Sequence, residues 1–203
     1  MGIVYFARES GSSNEFKIGH TKSSVATPRL TGLKRAGRPP LVLFRKIETE
    51  SYLDVENYLH HRLHASEAPT GKEWFTITEA EAIAAYEDGV KIAKVFERHK
   101  RELEPLESIE STNGQVIEPS PEVKSLCLLI KQKTGQRDML ATEVELLRTD
   151  LKIAIGLNDG IKDLATWKVS STARFNQTRL KEERPDIYEQ FVVTTPGRSL
   201  RMK

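Results

Sequence analysis

Apolar and polar positions along the first hundred residues alternate in two periods. Ile3-Val4-Tyr5-Phe6 is a short run of β-favouring residues, and Glu15-Phe16-Lys17-Ile18 alternates polar with apolar. Together they predict two paired strands, joined by a turn between Arg8 and Asn14 that Gly11, Ser12 and Ser13 mark. Thr27, with Pro28 at the next position, opens a predicted helix that runs to Arg35, before Gly37. Leu41-Val42-Leu43-Phe44 predicts a third strand, and residues 51–64 a second helix with Ser51 as its cap. Glu73-Trp74-Phe75-Thr76-Ile77 reads as a further short strand. Thr78 followed three residues later by Glu81 is a capping box, opening a helix expected to end near residue 101.

The pattern then changes. Residues 102–121 hold Pro105, Pro119 and Pro121, five Glu and almost no apolar periodicity, which predicts a flexible linker. Helical spacing returns from about residue 122: Leu140, Val144, Leu147, Leu151 and Ala154 follow alternating four- and three-residue steps. Continuing that seam backwards puts Lys133 and Arg137 on it, with Gly135 between them. A helical hairpin or a partner-packing helix is therefore expected in preference to a continuous coiled coil. The tail predicts a strand at Thr166-Trp167-Lys168-Val169, a helix around residues 176–191 and a last basic strand at residues 198–202. Trp167, Phe175, Tyr188 and Phe191 are expected to form the core of this small module.

Composition adds a compartment and a partner. The 203-residue chain is 38% apolar and 30% charged, with no apolar run of the ~18 residues a membrane span needs. Met1-Gly2-Ile3-Val4-Tyr5 has neither the basic nor the apolar segment of a signal peptide. A single cysteine, Cys127, excludes an internal disulfide and suits a cytoplasmic location; its apolar neighbours predict a core position. The net charge of +2 is segregated. Residues 1–47 hold nine Lys/Arg against Glu9 and Glu15 (+7), residues 102–122 six Glu and no base (−6), and residues 162–203 nine bases against five acids (+4). Two basic blocks around an acidic stretch point to a polyanionic partner.

The candidate chemistry lies in the first 60 residues. Tyr5, Lys17, His20, Arg29 and Glu56 supply a phenol, an amine, an imidazole, a guanidinium and a carboxylate. Phosphodiester hydrolysis needs an in-line nucleophile and relief of charge on the phosphate. Glu56 can hold a hard divalent cation, Mg²⁺ or Mn²⁺. Arg29 can fork onto phosphate oxygens, and Tyr5 can take a proton from water if Lys17 or His20 stabilises its anion. Lys22, Lys34, Arg35 and Arg38 extend the basic surface for nucleic acid. Glu56 and His60, four apart on one helix face, could instead share a metal.

Ile3-Val4-Tyr5, Lys17-Ile18-Gly19-His20, Arg29, Glu56 and the closing Glu73-Trp74-Phe75 resemble the GIY-YIG endonuclease superfamily over residues 2–78. The branch is the one named for a bacteriophage DNA-binding domain. The resemblance implies an α+β fold, a small antiparallel three-stranded sheet flanked by helices. It also implies that Tyr5 is the general base, Lys17 stands at the second motif tyrosine, His20 assists, Arg29 stabilises the transition state and Glu56 binds the metal. Two departures stand out: Ile3 replaces the first motif's glycine, and Lys17 its second tyrosine. Glu73-Trp74-Phe75 is expected to be structural.

Residues 165–201, including Ala165-Thr166-Trp167-Lys168 and Pro185-Asp186-Ile187-Tyr188, resemble the C-terminal segment of YqaJ-type phage recombination exonucleases, without those enzymes' catalytic core. The expected organisation is a nuclease or DNA-binding domain over residues 1–101, an acidic linker over 102–121, and a helical accessory module with a short hairpin over 122–203. The expected function is metal-dependent cutting of DNA in a phage or prophage setting; the alternative is a DNA-binding module that does not cut. Residues 122–155 are expected to join copies of the chain or to dock on a phage replication or recombination partner.

Overall fold

The structure, a computed structural model, describes residues 1–11, 14–22, 30, 32, 39–68, 73–108, 114–193 and 199–201. The chain divides into two compact units, residues 1–109 and 110–203. The predicted helix at 27–35 falls almost wholly outside the described residues, as do Arg29, Lys34, Arg35 and Arg38.

The first unit is α+β. Strands β1 (Gly2–Glu9), β2 (Glu15–Thr21), β3 (Leu41–Thr49) and β4 (Trp74–Thr76) form one antiparallel sheet in the order β3-β1-β2-β4. The expected three-stranded sheet is thus four-stranded among the described residues. The residues around Trp74 do form a short strand, and it adds to the free edge of β2 through Phe16↔Phe75 and Lys17↔Trp74. Helix α1 spans Tyr52–Leu63 and α2 spans Glu79–Glu107.

β1 reads as an unbroken apolar run because it is the central strand and is buried on both faces. Val4 and Phe6 turn to a core shared with Phe16, Ile18, Ile47, Val55 and Leu59. Ile3, Tyr5 and Ala7 turn the other way, onto Leu30. Helix α1 therefore lies on the Val4 and Phe6 face, and its inward residues Val55, Glu56 and Leu59 set which side of the sheet Glu56 belongs to.

The capping box at α2 is formed. The Thr78 hydroxyl accepts from the Glu81 N–H at 3.2 Å, and the Glu81 carboxylate accepts from the Thr78 N–H at 2.8 Å. The Thr78 N–H foremost, and then the Thr78 hydroxyl donating to the same carboxylate at 2.8 Å, hold the Glu81 carboxyl below its ordinary value. The stabilisation from Glu81 is therefore present above its unfolded value and is lost as pH falls through the lowered folded one. Thr78→Ala should cost about 1 kcal/mol at neutral pH. Denaturant titrations should show that cost shrinking once pH drops below the carboxylate range. Ser51 occupies the cap position of α1, but no side-chain capping bond forms; its N–H donates to Thr49 Oγ1 at 3.1 Å.

α2 continues through Pro105 to Glu107, past the expected start of the linker at residue 102. Proline removes only its own donor, and the last turn closes with the Ser108 hydroxyl donating to the Pro105 carbonyl at 2.9 Å.

The second unit opens with α3, a helix over Pro121–Ile155 with Ser120 as its cap and Pro121 in the first turn. It is a single helix, not a hairpin: it passes through Gly135 and stops where Gly156 turns to φ +62°. Cys127 is half-buried and not a core residue. A two-residue hairpin, β5 (Gly160–Ile161) with β6 (Ala165–Thr166), takes the place of the longer strand expected at 166–169. One expected helix over 176–191 is two, α4 (Gln177–Glu183) and α5 (Pro185–Gln190), because Arg184 precedes a proline and leaves the helical region. The predicted aromatic core does not form: Trp167, Phe175 and Phe191 are all exposed. Ser199–Arg201 form no strand. Among the described residues no helix is long and apolar enough to cross a membrane.

Candidate functional site

Four consecutive residues of β2 organise the site. In the β1–β2 ladder Ala7 faces Lys17, Tyr5 faces Gly19 and Val4 faces His20. Directly opposed residues share a sheet face, so Tyr5, Gly19 and Lys17 lie on the Leu30 side, while His20 lies on the α1 side. Of the two expected cationic neighbours of Tyr5, only Lys17 shares its face. His20 is committed elsewhere.

On the first face Tyr5 is 1% exposed. Its ring crosses Gly19 so closely that a Cβ there would sit 2.6 Å from the phenolic oxygen and 2.8 Å from Cζ. Only glycine leaves that space. Lys17, on β2, is 6% exposed, and a buried ammonium needs a partner. Glu73 supplies it at 2.6 Å from Nζ, and the Trp74 ring centroid lies 5.8 Å from the same atom.

Glu73 is hydrogen-bonded, as expected of a structural residue; what sequence reasoning missed is its partner, Lys17. The Glu73 backbone sits at φ +69°, a conformation uncommon for a residue with a side chain. Its carbonyl accepts from the Ile18 N–H at 3.0 Å. Glu73 is thus fixed to β2 by its backbone one residue away from the lysine its carboxylate holds. The available signal was the strand spacing: a β4 that pairs Trp74 with Lys17 brings the preceding acid to the same edge.

On the second face the His20 Nδ1 lies 2.6 Å from Glu56 Oε2. The partner is a carboxylate, so Nδ1 is the donor. Glu56 is 6% exposed and the His20 side chain about one-third exposed, so the pair is seated in the fold yet open to solvent through the imidazole. Tyr52 packs its ring beside His20, with centroids 5.4 Å apart. α1 positions these groups: Tyr52 and Glu56 are one turn apart and both meet the end of β2.

His60, the next turn along, does not join them. Its Nε2 donates to the Ile18 carbonyl at 2.9 Å, and its ring lies against Phe75. That leaves no basis for a metal shared by Glu56 and His60. Among the described residues no three His, Cys, Asp or Glu side chains converge as a metal cage. A single carboxylate suits Mg²⁺, which retains waters and binds through one or two carboxylates and substrate phosphate; the donor chemistry of Glu56 fits it.

The structure thus brings His20 to Glu56 on one face of β2, and on the other face Tyr5 to Gly19 and, separately, Lys17 to Glu73. Lys22 is exposed just after β2, where it can meet a polyanion. Arg8, another base of the N-terminal block, is tied to Glu79 at 2.7 Å and stacks over Phe44.

No curated protein and no solved structure matches the chain. The comparisons lend no support to the likeness of residues 165–201 to YqaJ-type exonucleases. Residues 2–90, which include both faces of this site, match the family model of the T5orf172 domain, a phage-associated, nuclease-like domain.

Proposed function

We propose that the N-terminal unit is a metal-dependent endonuclease that hydrolyses DNA phosphodiester bonds, acting in the cytoplasm of a phage host. The observation that carries this reading is the His20–Glu56 pair, a buried carboxylate locked to a part-exposed imidazole at 2.6 Å. Glu56 would hold Mg²⁺ or Mn²⁺, which supplies neutralisation of the phosphate's developing charge. His20 orients the Glu56 carboxylate through Nδ1 and offers the rest of its ring to the substrate. The resemblance alone assigns Tyr5 the proton of the attacking water: Tyr5 is 1% exposed on the face of the sheet opposite Glu56, and Lys17 on that face is paired with Glu73. Arg29 stabilises the phosphorane oxygens, and Lys22, Lys34, Arg35 and Arg38 bind the DNA backbone.

A second reading is a DNA-binding module that does not cut. One observation favours it: Lys17 stands where the superfamily's second tyrosine is expected and is already engaged by Glu73 at 2.6 Å. Supercoiled plasmid separates the two. The nuclease reading expects nicked and linear products with Mg²⁺ and none with EDTA. A gel shift without products under either condition supports the binding module.

A further inference from the structure

Along the 35 residues of α3 only Ile155 is buried. Most of a helix's stability comes from packing an apolar face, and this one leaves Leu126, Leu140, Val144, Leu147 and Leu151 exposed, with Ile130 half-covered. These six fall on one seam of alternating three- and four-residue steps, continuous through Gly135 and interrupted only by Lys133 and Arg137.

The charge along the helix says what covers that seam. Residues 121–137 carry Lys124, Lys131, Lys133 and Arg137 against Glu122, a net +3. Residues 138–155 carry Asp138, Glu143, Glu145 and Asp150 against Arg148 and Lys152, a net −2. A parallel pair would set the basic half on the basic half. An antiparallel pair sets each half on its opposite. We infer that α3 is a self-association surface whose occupant is the α3 of a second copy of the chain, running antiparallel.

The register follows from the seam. With the two-fold axis between Asp138 and Met139, Leu126 meets Leu151 of the second copy and Ile130 meets its Leu147. Arg137 meets Leu140, and Lys133 meets Val144. Every seam position then faces another seam position. The long stem of Lys133 covers Val144 while its ammonium reaches Glu143 and Glu145 on either side. Polar residues inside a coiled-coil seam set register and orientation at some cost in stability. Lys133 and Arg137, which break the apolar pattern, are the devices that select this pairing.

The test is the mass of the full chain by size exclusion with light scattering. The expected mass is twice the chain's 23.0 kDa. Lys133→Glu with Arg137→Glu should weaken the dimer about tenfold or more, since several close charge pairs turn repulsive at once. Adding Glu143→Lys and Glu145→Lys should restore it. Cys127 gives a reading on the unmutated protein, because the two copies of it lie about 35 Å apart in the antiparallel pair and side by side in a parallel one. Mild oxidation should leave the dimer unlinked. A monomer at high micromolar concentration, a dimer indifferent to the charge swap, or a Cys127 disulfide between copies would each overturn the proposal.

Discussion

Gly19→Val is expected to disable the N-terminal unit in both stability and activity. A Cβ at this position meets the Tyr5 ring at 2.6 Å and 2.8 Å, well inside van der Waals contact, and Tyr5 is itself fully buried on the central strand. The ring cannot yield without pushing into Ile3, Ala7 and Leu30, which share its cluster. Overpacking of a filled core costs about 1–3 kcal/mol, and the branched side chain adds to the alanine penalty. Where the domain survives, the phenolic oxygen is displaced and the nuclease reading predicts loss of plasmid cutting. Gly135→Ala is the control: nothing lies within 4 Å of that position on α3. It should raise helix stability by up to about 1 kcal/mol. Denaturant midpoints for the two variants should move in opposite directions.

Phe6→Ala should produce the largest loss of stability. Phe6 is fully buried where α2 covers the sheet, and Tyr86 of α2 meets it edge-on with ring centroids 6.0 Å apart. Truncation removes an aromatic ring and leaves a cavity between sheet and helix, costing about 3–5 kcal/mol. A domain of ordinary stability has about 5–15 kcal/mol in all, so the variant should melt early or fail to fold. Phe6→Leu keeps most of the volume and should recover most of the loss. An alanine variant as stable as wild type would mean that the Val4 and Phe6 face is not the packed side of β1.

Much of the first unit was legible because its signals are local. The β1–β2 hairpin follows from two short runs and a turn rich in glycine and serine, and the Thr78–Glu81 capping box was readable from a three-residue spacing. Two features of the site were not. Glu73 lies 56 residues from Lys17, and nothing in a Glu-Trp-Phe segment announces a backbone at φ +69°, a conformation more usual for glycine or asparagine. The division of the candidate residues between two faces was latent in the sequence. Lys17 and His20 are three apart on a strand, which puts them on opposite sides, but only the position of α1 shows what each side meets. The breaker residues misled in the other direction. Gly135 and Pro105 both lie inside helices, because each costs a helix only locally and a long, well-capped helix absorbs that cost. The tail misled for another reason: a handful of aromatics suggested a core, yet Trp167, Phe175 and Phe191 are exposed around a hairpin and two short helices too small to bury them.

The central claim is that Glu56 works in phosphodiester hydrolysis and not merely in holding His20. The direct measurement is the rate of plasmid cutting in Mg²⁺ by Glu56→Gln beside wild type, at equal DNA occupancy set by gel shift. The glutamine can still accept from His20, so the fold and the affinity should persist. The rate should fall about 10²–10³-fold, the scale of losing one electrostatic partner at a reacting phosphate. Equal Mg²⁺-dependent cutting by both proteins would contradict the account and return the His20–Glu56 pair to a purely structural role.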